Sequence, residues 1–374
     1  MSDPRINKLA KLLVNYSTEV QEDDLVAIIA LPNATPLVKE IYREVLSCKA
    51  HPYVVAGAGH VIPGFEDFEY IFFKEASEKQ LKHINLFAKM ITEEFDVRIS
   101  IRSGKNTHIL SNIEPELISM RADAYSELIK TFLERSASGD LRWVVTNYPT
   151  HAYAQDADMS LEEYSDFLFK STFCDTDDPV SEWKNIHKQQ QVFVDWLKGK
   201  EKVQIKGPNA DLTLSIKDRV FINAAGKANM PCGEIFTGPV EDSANGWLHF
   251  TYPSIYRGKE VDGIELKFEK GKVVSASAKK NNNYLQTMID TDAGSRYIGE
   301  FAFGTNTGIT DFIKDILFDE KIGGTIHIAL GSGYPETGSK NESAIHWDMI
   351  CDMRNGGQVY VDGELFYESG EFMI

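Results

Sequence analysis

Near Lys200 the hydrophobic period of the chain changes, and this limits the possible architecture more than any single motif does. Before it, short apolar runs alternate with helical patterns. Leu25 to Ala30 (LVAIIA) is a continuous apolar run of strand length. Thr35 and Pro36 then open a pattern with Val38, Ile41, Val45 and Cys48 on one helical face. Asn7 to Tyr16 carries Leu9, Leu12 and Leu13 at helical spacing, and Tyr53 to Ala56 reads as a strand. Ser77 with Gln80 resembles a capping box ahead of Leu81, Ile84, Phe87 and Ile91. Val97, Ile99 and Ile101 alternate with polar residues as in a half-buried strand, and Trp143 to Val145 is another short strand. Ser160 with Glu163 opens another helix, and Asp178-Pro179 starts the last, which ends near Gly199.

Strands separated by helices predict a mostly parallel sheet with flanking helices. After Lys200, strand patterns and Gly-rich turns dominate, with one helix predicted over Thr310 to Phe318. The fold class that follows is α/β. An N-terminal α/β domain over residues 1–200 precedes a β-rich α+β domain over 201–374.

Several functions have little support. With 39 basic against 56 acidic residues, the net charge of −17 repels a phosphate backbone, and no basic run offsets it. Nucleic acid is therefore not an expected partner. Neither is a membrane, because no stretch approaches the roughly 20 apolar residues of a span. The N-terminus lacks the apolar core of a signal peptide, and cysteines 48, 174, 232 and 351 form no CxxC pair. A cytoplasmic location is expected. The turn Ala30-Leu31-Pro32-Asn33 and the Gly57-Ala58-Gly59-His60 segment both miss the dinucleotide fingerprint. The acidic run Asp175, Asp177, Asp178 reads as a loop ending in a helix cap.

The second half places polar groups inside apolar strands. In Ile345-His346-Trp347-Asp348-Met349, alternation puts His346 and Asp348 on one face and the apolar residues on the other. The pair is either half of a metal site or a hydrogen-bonded structural pair. In Thr325 to Leu330, His327 opposes Ile326, Ile328 and Leu330. Glu300 sits in Tyr297-Ile298-Gly299-Glu300-Phe301-Ala302-Phe303, and Glu234 in Met230-Pro231-Cys232-Gly233-Glu234-Ile235-Phe236. Buried carboxylates need a cation or a proton, and no Lys or Arg in these segments is an obvious partner. Carboxylates with neutral imidazoles suit zinc, manganese or cobalt.

Four ordered strings carry a resemblance: Pro231 to Thr237, Ile298 to Asn306, His327 to Gly331, and Ile345 to Asp348. Together they are similar to the M29 metallopeptidases, the aminopeptidase T and aminopeptidase S group. The resemblance implies a homodimeric metallo-aminopeptidase that hydrolyses the N-terminal bond of peptides with a free amine. It implies two divalent ions (Zn, Co or Mn) on Glu234, Glu300, His327, His346 and Asp348. Glu300 would bridge the ions or act as base, and Tyr334, in Gly333-Tyr334-Pro335, would be the active-site tyrosine. The segment between Tyr334 and His346 is shorter than in typical members. The rival readings are a metal-dependent esterase or amidohydrolase on a non-peptide substrate, and a non-enzymatic metal-binding protein that keeps the fold. Glu320, ahead of Lys321-Ile322-Gly323-Gly324, reads as a surface residue.

Overall fold

The computed structural model describes residues 3–57 and 66–374, which form two compact units. One unit comprises residues 1–182 with 226–231, and the other 183–225 with 232–374. The expected boundary near residue 200 falls inside the second unit, just past the helix Pro179–Leu197.

The first unit is built on a parallel sheet, in the order His51–Ala56, Leu25–Ala30, Val97–Arg102, Arg142–Asn147, Asn229–Met230. Leu25–Ala30 is an inner strand, and five of its six residues are buried, which is why it reads as an unbroken apolar run. The two-residue strand Asn229–Met230 is contributed by the later excursion of the chain. Ser160 and Glu163 form a capping box at the start of the helix Leu161–Ser171. Asp178 accepts from the Ser181 backbone N–H at 3.2 Å, as a cap for the helix that follows. Ala58 to His60 of the glycine-containing segment lie outside the described residues.

Two helices differ from the sequence pattern. The Ser77 capping box starts only a single turn, Glu78–Leu81. Asn85 then caps a separate helix, Leu86–Glu94, by accepting from Phe87 and Ala88 N–H at 2.9 and 3.3 Å. The expected helix over Thr310 to Phe318 shrinks to Ile316–Asp319. Asp315 caps it, and Asp319 accepts instead from the Ile313 N–H at 2.8 Å, which holds the preceding residues in a loop.

The second unit has two larger antiparallel sheets sharing one apolar core. An eight-stranded sheet contributes Val203, Ile205, Leu212, Leu214, Leu248, Leu266, Phe268, Val359 and Val361 to that core. A five-stranded sheet runs in the order His346–Asp352, Thr325–Gly331, Ile298–Gly304, Glu234–Thr237, Ile222–Ala224. It contributes Phe301, Phe303, Ile326, Ile328, Leu330, Trp347 and Met349. Among the described residues no helix is long and apolar enough to cross a membrane.

Candidate metal centre

The second face of the five-stranded sheet carries the polar residues. Directly opposed residues on antiparallel strands share a face. Glu300 opposes Ala329, which opposes Asp348. His327 opposes Ala302, Gly331 opposes His346, and Gly304 opposes Glu234. Glu234, Glu300, His327, His346 and Asp348 therefore project from one face, separated by alanines and glycines whose small side chains leave room. Their apolar neighbours in sequence are fixed in the core behind.

One irregularity makes this possible. Simple alternation would put Ile298 and Glu300 on the same face. The ladder shifts between them: Ile298 opposes Leu330 while Glu300 opposes Ala329, the next residue back. Gly299 is the extra residue of a β-bulge, so Ile298 enters the core and Glu300 turns to the polar face. Glycine is required there by contact. A Cβ on Gly299 would lie 2.3 Å from the Gly331 carbonyl oxygen and 2.4 Å from that of Ser332.

The side chains meet at close range. Glu300 lies between the histidines, with Oε1 3.4 Å from His327 Nε2 and Oε2 3.3 Å from His346 Nε2. His327 Nε2 is also 3.5 Å from Glu234 Oε2, and His346 Nε2 is 3.4 Å from Asp348 Oδ1. The His346 Nδ1–H donates to the Ser332 carbonyl at 2.7 Å, which directs Nε2 toward the carboxylates. Tyr334 packs its ring edge against His346, with centroids 5.2 Å apart, and against Phe236 at 5.4 Å. The tyrosine begins a short 3₁₀ turn, Pro335–Thr337, which places it beside the polar face.

Glu320 is not a surface residue. The short helix Ile316–Asp319 ends so that Glu320 turns inward, and its side chain is 15% exposed. One of its carboxylate oxygens lies within 4.8 Å of ligand atoms of both His327 and Asp348. Lys321 beside it is fully buried, pairs with Glu320, and brings Nζ to 3.7 Å from Glu234 Oε1. Neither residue shows in a periodicity pattern, because both lie in a turn. The only signal was a charged pair one residue ahead of two glycines.

The electrostatics follow from this packing. Burial pushes the Glu320 carboxyl up to about 7, although Lys321 pulls the other way. Burial also raises Glu234, again against Lys321. Burial opposes charge on Asp348 and Glu300 too, but there the imidazoles win. His346 brings Asp348 down to about 2, and His327 and His346 hold Glu300 below its ordinary value. Burial alone would keep His327 neutral, yet Glu300 and Glu234 raise it to about 9.

This donor set fits divalent cations. Four carboxylates face one ammonium, and the imidazoles are drawn toward protonation by the surplus of negative charge. A bound cation satisfies the same surplus. Asp348 Oδ1 is buried without a hydrogen-bond donor among the described residues. Three groups place one donor atom per residue within 4.8 Å of each other: Glu234, Glu300, His327; Glu300, His346, Asp348; and Glu320, His327, Asp348. Oxygen and imidazole donors without thiolates match a catalytic rather than a structural site.

The chain matches known proteins over nearly its whole length. Residues 2–372 fit the family model described as thermophilic metalloprotease (M29). The chain is 27% identical over 389 residues to Aminopeptidase 2 of Geobacillus stearothermophilus, covering 96% of this chain and 91% of that one. It is 26% identical over 303 residues to Aminopeptidase T of Thermus thermophilus, covering 72% of each. Its fold is similar to that of wild-type AmpT from Thermus thermophilus, with a TM-score of 0.85 at 21% identity over 99% of both chains. With a full-length match and a buried oxygen-imidazole cluster suited to divalent cations, the chain belongs to the M29 metalloprotease family.

Proposed function

We propose that the protein is an aminopeptidase that uses two divalent ions, zinc, cobalt or manganese, to release N-terminal residues from peptides. The observation that carries this reading is the position of Glu300, common to two donor groups, with one oxygen toward each histidine. Glu234, Glu300 and His327 would hold one ion, and Glu300, His346 and Asp348 the other. Such ions supply Lewis acidity and lower the pKa of water.

The chain's own residues do the rest. Glu300 was open to two roles, and the imidazoles that keep it ionised favour that of shared ligand. Glu320, raised to about 7 by burial, is the carboxylate suited to accept a proton from attacking water and return it to the leaving amine. Tyr334 keeps its proton, because lost hydration and then the carboxylates of Glu300 and Asp348 hold its phenol well above the ordinary value. It can therefore donate to the developing oxyanion. The His346–Ser332 hydrogen bond fixes the imidazole in its working orientation. The reading includes a homodimer and a cytoplasmic setting.

The test uses a leucyl-anilide and its N-acetylated form. Exhaustive chelation should abolish hydrolysis of the free-amine substrate, and zinc, cobalt or manganese should restore it. The acetylated substrate should stay intact throughout. Full activity in metal-free protein, or equal turnover of both substrates, would overturn the proposal.

A further inference from the structure

We infer that Lys321 is a built-in counter-charge to the metal centre, which stabilises the empty site and limits how tightly the ions are held. The inference rests on the metal-centre reading above and adds to it a residue that governs metal exchange.

Three observations carry it. The first is burial. The Lys321 side chain has no solvent exposure, so its ammonium is stable only because carboxylates surround it. The second is the choice of partners. Among the described residues they are Glu320 and Glu234, both members of the donor groups, and not carboxylates outside the centre. The third is that the backbone fixes where the ammonium goes. Lys321 N–H donates to Phe318 O at 2.9 Å, and the Lys321 carbonyl accepts from Asn306 N–H at 3.0 Å. Gly323 N–H returns a bond to Asn306 O at 3.0 Å, and the Asn306 side chain donates to Cys232 O at 2.8 Å. This turn packs closely against the sheet. A Cβ on Gly304 would stand 2.3 Å from the Ile322 carbonyl oxygen. Lys321 thus enters from a rigid turn tied to the strand region that supplies Glu234.

The consequences have opposite signs in the empty and loaded protein. Without ions, four carboxylates crowd one buried face, and the ammonium offsets part of their repulsion. With ions, the same ammonium repels a divalent cation a few ångströms away, at low effective dielectric. A neutral residue at this position should make the empty protein less stable and the ions harder to remove. A lysine serving only to fill space or anchor the turn would shift both forms equally.

The experiment compares the full chain with Lys321→Met and Lys321→Gln. Zinc affinity is measured by competition with a chromophoric chelator, and thermal midpoints are recorded with excess chelator and with saturating zinc. Each neutral variant should bind at least one zinc about tenfold or more tightly than wild type. The gap between loaded and chelated midpoints should widen, mostly because the chelated midpoint falls. A folded Lys321→Arg, which keeps the charge, should bind zinc near the wild-type affinity, and tightening equal to that of the neutral variants would overturn the inference. Unchanged or weaker zinc binding in a folded neutral variant, or an unchanged gap, overturns the inference. So does failure of both neutral variants to fold in saturating zinc, since the ions should replace the ammonium. A wild-type chain that binds no zinc, cobalt or manganese would instead overturn the metal-centre reading itself.

Discussion

Tyr334 shows how much a single atom is asked to do. Its ring contacts, against His346 and Phe236, do not need the hydroxyl. Tyr334→Phe should therefore preserve packing and remove one donor. Loss of one oxyanion donor typically lowers kcat on the order of 10²–10³. The expected result is a fall of that size in kcat, with KM and metal content nearly unchanged. Steady-state kinetics with metal analysis check it, and a variant within about threefold of wild type would remove Tyr334 from the chemistry. At this scale the sequence was readable wherever residues sit in regular strands. His346, Asp348 and His327 could be assigned to a face because Trp347, Met349, Ile326 and Ile328 so clearly claim the other. Glu320 and Lys321 could not, because a turn has no period. Their inward direction depends on hydrogen bonds from Asn306, fifteen residues earlier in a different segment.

Among the elements, the strand Ile298–Gly304 was legible as a strand and illegible as a surface. Alternation predicts the wrong partner for Glu300, and only the bulge at Gly299 corrects it. The glycine is informative only once its neighbours are known, namely the carbonyls of Gly331 and Ser332. Ser332 is also the acceptor that orients His346. Gly299→Ala thus pushes on two features at once. It should cost about 1–3 kcal/mol of stability, as overpacking commonly does, and should also weaken zinc binding. Urea unfolding in chelator reads the first effect and chelator competition the second. A variant that loses stability but binds zinc as wild type would show that the bulge positions the strand and not the site. The helices illustrate a different limit. The apolar spacing from Leu81 to Ile91 is real, but Asn85 offers its side chain as a new cap, and local capping breaks one expected helix into two.

For the whole molecule, the change in hydrophobic period correctly announced a parallel α/β architecture followed by an antiparallel, strand-rich one, although the second unit already begins within the helix ahead of Lys200. What the linear pattern could not show is that residues 226–231 return to extend the parallel sheet. A two-residue strand carries almost no pattern of its own and exists because a neighbouring strand is exposed to receive it. The surplus of acid over base, 56 against 39, is likewise a global property that turned out to have a local concentration. The four carboxylates of the centre lie close together, where Glu300 and Asp348 help to raise Glu234, and Asp348 and Glu234 help to raise Glu320.

The strand donors run from Glu234 to Asp348, on four strands that must pair before more than the His346–Asp348 pair is together. A cation therefore finds only a two-residue local motif early in folding, and the slow, long-range pairings come before a full site. Metal should accordingly act as a lock and not as a template. In stopped-flow experiments, zinc should leave the refolding rate of the chain nearly unchanged and slow its unfolding substantially, because the contacts it strengthens are absent from the transition state. Zinc-accelerated refolding would mean that part of the centre forms before the sheet does. In that case the ions would help to choose the fold they later occupy.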